Sequence, residues 1–144
     1  MQGYNFTQGF RTVLSNAREA SARLDHEYVG TEHMLLGLLR RGEGGAIRML
    51  EALDVDLNRV RTTIEDVVQQ GGQSRVTRPD LPYTSRAKHV LELAMAEARE
   101  AGHSHVGSEH LLLGMIREEH GIAAQALMNA GVTLATARAA LRGA

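Results

Sequence analysis

Two glutamates, two threonines and a set of histidines are the residues of this 144-residue chain whose types and spacing could do chemistry. "VGTEHMLLGLLR" begins at Val29 and "VGSEHLLLGMIR" at Val106, so Glu32 recurs as Glu109 at a spacing of 77 residues. Thr7 and Thr84, His26 and His103, His33 and His110, Gly37 and Gly114, and Arg40 and Arg117 keep that spacing. A glutamate at a helix start can take a guanidinium in a bidentate, charge-assisted pair. A threonine-capped helix start beside it offers a hydroxyl and unpaired N–H groups to an anion. Together they would make a receptor for a ligand with one cationic and one anionic end. The same residues also have a purely structural use, because Thr is a common N-cap and the helix dipole favours Glu in a first turn.

Other chemistries fare worse. "HSH" at 103–105 with His110 raises a metal question among the seven histidines. No HExxH is present and there are no cysteines, so no metal is expected; disulfides and a thiol nucleophile are excluded. His26 and His103, with His33 and His110, are read instead as buried polar residues that hold a loop to a helix end or fill the shared core. No nucleophile–base or carboxylate pair can be picked out, and no G-x-x-x-x-G-K-[ST] loop occurs. The chain is therefore not expected to be an enzyme, to hydrolyse ATP or to carry a cofactor. The formal charge of −1 draws it neither to nucleic acid nor to an anionic membrane. No run approaches the roughly 20 apolar residues that cross a bilayer. "MQGYNFTQGF" lacks the features of a secretion signal, so a cytoplasmic protein is expected. Lys88 is the sole lysine against 15 arginines, which with the abundant Ala and Gly suggests a GC-rich bacterial genome.

The elements that must position these residues follow a helical period throughout. Phe10, Val13, Leu14, Ala17 and Leu24 share one face, as do Leu57, Val60, Ile64, Val67 and Val68. Thr7 and Thr84 stand at N-caps, and Thr31 and Ser108 are expected to cap the next helices. "RRGEGG" and "REEHG" end those helices after about three turns, and short helices follow near 45–53 and 121–130. Met34, Met49, Met95, Met115 and Met128 read as packing residues. The pattern predicts an all-α fold with no sheet: eight helices in two related four-helix repeats, about 4–69 and 84–143. The linker, 70–83, holds the only two prolines, Pro79 and Pro82. A half of about 65 residues is marginal alone, so 1–144 is expected to form one domain with an approximate two-fold axis. The last helix carries alanine where its counterpart carries Ile and Val, and should be held less firmly.

A doubled "GTEHMLLGLLRRGEG" and "GSEHLLLGMIREEHG", preceded by Phe6-Thr7 and Tyr83-Thr84, resembles the Clp N-terminal domain of the Clp/Hsp100 unfoldases, closest to the ClpC branch. The resemblance spans Phe6 to about Leu141. It implies an all-α double repeat that recruits substrate or adaptor proteins to Clp ATPase–protease machinery. It also implies a ligand, phosphoarginine, at positions matching Glu32 with Thr7 and Glu109 with Thr84. ClpC relatives usually carry a basic residue at the positions of Arg86 and Gly9. The site with Arg86 is therefore expected to bind about tenfold more tightly. The resemblance further implies a groove for cyclic peptide antibiotics, matched by Tyr83, Lys88 and Glu92. Gly3 stands where relatives have an aromatic, with Tyr4 next to it. A free-standing Clp-N protein that regulates the machine or sequesters its ligands is the alternative reading.

Overall fold

The computed structural model describes residues 5–68 and 81–143. Tyr4 and most of the linker, including Pro79, lie outside the described residues. The Thr7 hydroxyl accepts from Phe10 N–H at 3.1 Å and starts α1 (Gln8–Arg23); Thr84 accepts from Ala87 N–H at 3.0 Å and starts α5 (Ser85–Glu100). Each is followed by three more helices. In the first repeat these are α2 (Thr31–Arg41), α3 (Gly45–Ala52) and α4 (Leu57–Val67); in the second, α6 (Ser108–Glu118), α7 (Ile122–Asn129) and α8 (Leu134–Gly143). The all-α double repeat is thus the observed architecture. Its turns repeat too: Gly42 (φ 70°) corresponds to Glu119 (φ 78°), and Asp54 (φ 58°) to Gly131 (φ 88°). The left-handed residue is required by the turn in both copies, and glycine supplies it once in each pair.

Gly37 and Gly114 let paired helices touch. A Cβ on Gly37 would lie 2.5 Å from Val13 O in α1, and one on Gly114 would lie 2.7 Å from Val90 O in α5. The recurring glycines are therefore contact points of α2 on α1 and of α6 on α5. One core runs through both repeats, with Phe10, Leu35, Leu50, Leu111, Leu112 and Leu127 fully buried in it. Met34, Met49 and Met115 join it, whereas Met128 is 49% exposed and Val67 is 54% exposed, off the buried face expected for them.

Two parallel strand pieces, absent from the sequence-based expectation, tie the repeats together. β1 (Asn5–Phe6) pairs with β2 (His105–Val106), and Val29 bridges Tyr83 in the same sense. Thr7 N–H donates to Val106 O at 3.0 Å, and Thr84 N–H to Val29 O at 2.9 Å. Two residues are too few for a period-two pattern to register. The pairing is crosswise: the segment before the first helix of each repeat lies on the loop before the second helix of the other.

Thr31 and Ser108 are likewise not caps of their own helices. Gly30 and Gly107 hold those N-cap positions. The Thr31 hydroxyl accepts from Ala123 N–H of α7 at 3.3 Å, and that of Ser108 from Ala46 N–H of α3 at 3.2 Å. The final helix is better anchored than its alanines suggest. It buries Ala137 where α4 buries Val60 and Ile64, but Arg138 grips the buried Glu97 of α5 at 2.6 and 3.2 Å.

Candidate functional site

Crosswise pairing decides which predicted residues meet. Three helix starts converge on an open cavity of about 220 Å³: Thr84 and Arg86 at α5, Gly30, Thr31 and Glu32 at α2, and His120, Gly121 and Ile122 leading into α7. The same constellation recurs 77 residues away around Thr7. There Gly9 belongs to α1, Ser108 and Glu109 to α6, and Gly44 and Gly45 lead into α3. A Cβ on Gly45 would lie 2.7 Å from Glu109 Oε1, and one on Gly44 would lie 3.3 Å from Ser108 Oγ. Glu32 therefore shares a site with Thr84 and Arg86, and Glu109 with Thr7. This overturns the within-repeat pairing of Glu32 with Thr7 and Glu109 with Thr84. The physical reason is the strand exchange, which hands each α1-type helix start to the other repeat.

Glu32 is 8% exposed, and Glu109 has a 19% exposed side chain beside His105 Nε2 at 3.4 Å. Arg86 Nη1 donates to Glu118 Oε2 at 2.7 Å. Glu118 Oε1 in turn accepts from Gly121 N–H at 2.7 Å and His120 N–H at 3.2 Å. In the Thr7 site, Gly9 has no side chain, and the guanidinium of Arg41 occupies the space above it: a Cβ there would meet Arg41 Nη1 at 2.7 Å. Glu118 and Arg41 were missed from sequence. The repeat offered the signal, since they occupy equivalent positions with opposite charge.

Tyr83 is half-buried; its hydroxyl accepts from Arg18 Nη2 at 3.1 Å, and burial pushes its pKa up against the opposing Arg18 charge. Lys88 and Glu92 are exposed, one turn apart on α5. Tyr83 is thus turned toward α1 rather than left open beside them.

The histidines lock the helix starts. Gly30 N–H donates to His33 Nδ1 at 2.9 Å, so neutral His33 carries its proton on Nε2, which faces His26 Nδ1 at 2.8 Å. Gly107, His110 and His103 repeat this at 2.9 and 2.8 Å. Burial, then the His26 charge, lowers the His33 pKa to about 4. Burial likewise lowers that of His110. His103, His105 and His110 place ligand atoms within 4.8 Å of one another. His110 already uses both ring nitrogens, and the first repeat keeps the same link with Tyr28 in place of His105. The link is a structural one, and a metal on His110 Nε2 would have to break it.

Among the described residues, no helix is long and apolar enough to cross a membrane. The chain matches the family described as Clp repeat (R) N-terminal domain over residues 5–130 and 83–144. It is 47% identical over 133 residues to the negative regulator of genetic competence ClpC/MecB of Bacillus subtilis, covering 92% of this chain and 16% of that protein. It is 45% identical over 133 residues to the chaperone protein ClpB of Oceanobacillus iheyensis, covering 92% of this chain and 16% of that protein. The N-terminal domain of the chaperone ClpD from Arabidopsis thaliana superposes with a TM-score of 0.75 at 19% identity, covering 96% of this chain and 93% of that one. The Hsp104 N-terminal domain from Candida albicans gives 0.77 at 15% identity, covering 95% and 89%. With the doubled motif, the eight helices among the described residues and the sequence match in agreement, the chain belongs to the Clp repeat N-terminal domain family.

Proposed function

We propose that this chain is a recognition module that acts by binding, presenting substrate or adaptor proteins to a ClpC-type ATPase–protease, with phosphoarginine as the group it reads. The observation that carries the reading is the meeting of a helix-start carboxylate with a threonine-capped helix start across the repeats, Glu32 with Thr84 and Glu109 with Thr7. A carboxylate suits the guanidino end of such a ligand, and a capped helix start with an arginine beside it suits the phosphoryl end. Calorimetry with free phosphoarginine, arginine and inorganic phosphate tests it. Glu32→Ala combined with Glu109→Ala should abolish phosphoarginine binding, since a lost charge-assisted partner costs roughly 1.5–3 kcal/mol per site. The helical circular dichroism of that variant should be unchanged. Normal binding by the double variant, or no binding by the unmodified chain, would overturn the proposal.

A further inference from the structure

The two sites are built on one plan but differ where their charge is placed. In the Thr84 site the cation is Arg86, and it is spent internally on Glu118, whose side chain is only 4% exposed. The other oxygen of that carboxylate takes the Gly121 and His120 N–H groups, so the two N–H groups just before α7 are already taken by an acid of the chain itself. In the Thr7 site both halves of that pair are altered. Gly9 stands in for Arg86, and Arg41 stands in for Glu118 at the last position of α2.

The Arg41 guanidinium folds back over Gly9, where a Cβ would lie 2.7–2.8 Å from three of its atoms. It also reaches Gly44, and its Nη1 donates to Glu43 O at 3.0 Å. Among the described residues it forms no ion pair. The missing side chain at Gly9 does not leave this site without a cation; it clears the room in which a cation from α2 can lie. With Glu43 at the position equivalent to His120, the Thr7 site holds two acids and one arginine as the Thr84 site does; the difference is that Arg86 is ion-paired with Glu118, whereas Arg41 is ion-paired with neither Glu43 nor Glu109.

We propose that the Thr7 site is the anion-accepting member of the pair, with Arg41 as the residue that selects a phosphoryl group, and that Glu118 occupies the Thr84 site in place of such a group. This reverses the preference expected from Arg86 and Gly9. The choice of phosphoarginine as ligand rests on the proposed function above; the preference of one site for an oxyanion does not. One equivalent of ligand binds, with its phosphoryl end on Arg41 and Thr7 and its guanidino end on Glu109.

Two arms separate this from the proposed function. In the first, inorganic phosphate is titrated while the backbone amide resonances are followed. Shifts are expected at Gly44, Gly45 and Ala46 and not at Gly121, Ile122 and Ala123. Arg41→Gln should remove them; Arg41→Lys should keep part of them. Shifts confined to the α7 start, or unaffected by Arg41→Gln, would overturn the inference. In the second arm, phosphoarginine is titrated calorimetrically. Loss of the Arg41 charge should weaken binding about tenfold, Arg86→Gln should change it less than about twofold, and Glu118→Gln should open a second site. A larger loss in Arg86→Gln than in Arg41→Gln would overturn the inference as well. If phosphoarginine fails to bind while the phosphate shifts depend on Arg41, the ligand assignment falls and the charge inference stands. Arg41 is only partly buried, and a melting curve on each variant checks that the fold is intact.

Discussion

Lowering the pH from 8 to 5 should weaken this fold through its histidine locks, and the size of the effect follows from His33. His33 is fully buried, accepts the Gly30 N–H on Nδ1 and faces His26 with Nε2. A proton added to Nδ1 would point at an N–H that is already a donor. Burial, and after it the charge of His26, therefore holds the pKa near 4 against an ordinary 6.5. Between those values the unfolded chain binds a proton that the folded chain refuses. Stability thus rises with pH through the window, is fully present above about 6.5 and falls as the medium is acidified. Linkage gives a loss of about 2 kcal/mol at pH 5 and about 3 kcal/mol at pH 4 from this residue alone. His110, whose pKa burial lowers through the same arrangement, adds in the same direction. The pKa of Glu97 is also lowered, because Arg138 and Arg117 outweigh its burial; its contribution is lost only as pH falls below 4.5, so it does not blur the upper window. Urea unfolding followed by circular dichroism should show the midpoint dropping by about 1 M or more between pH 8 and pH 5. Histidine ring resonances should show His33 still neutral at pH 5. A His33 resonance that titrates near 6.5, or a midpoint indifferent to pH, would refute the tautomer argument.

Two further outcomes follow from the packing. Gly37→Ala and Gly114→Ala should each destabilise the fold by roughly 1–3 kcal/mol in chemical denaturation, because the added methyl meets backbone atoms of the facing helix that cannot step aside. Alanine's better helix propensity recovers only part of that, about 0.5–1 kcal/mol, so net stabilisation would show that the two helices separate easily. Glu97→Gln should cost about 1–3 kcal/mol and raise hydrogen exchange in α8 before other helices, since Glu97 holds Arg138 at 2.6 Å and Arg117 at 2.9 Å. Water screens both pairs, the Arg117 side chain being 31% and the Arg138 side chain 38% exposed, which keeps the cost in that range; uniform exchange across the chain would refute the anchoring role.

Much of the fold was legible because it rests on local signals that repeat. Thr7 and Thr84 at helix starts, the short α3 and α7, and the apolar faces of α1 and α4 are each decided within about fifteen residues of chain. What was not legible lies between distant segments. Thr31 looks like a cap for the helix it begins, and only the packed molecule shows its hydroxyl taking an N–H of α7 instead. The strand pieces are two residues long, so nothing in their composition announces them, yet they settle which repeat each threonine serves. A duplicated sequence states which residues correspond; it is silent on whether a site is completed within a copy or between copies. That silence is why the sequence alone suggests Glu32 with Thr7, where the fold brings Glu32 to Thr84. The charge pattern was legible in another sense: Arg41 and Glu118 stand at equivalent positions with opposite sign, and Gly9 and Arg86 differ in step with them. Read one position at a time, Gly9 is a missing cation. Read as two positions that face each other across a helix pair, it is a cation moved from α1 to α2, and the site that looked impaired is the one whose positive charge is not already answered by an acid of its own.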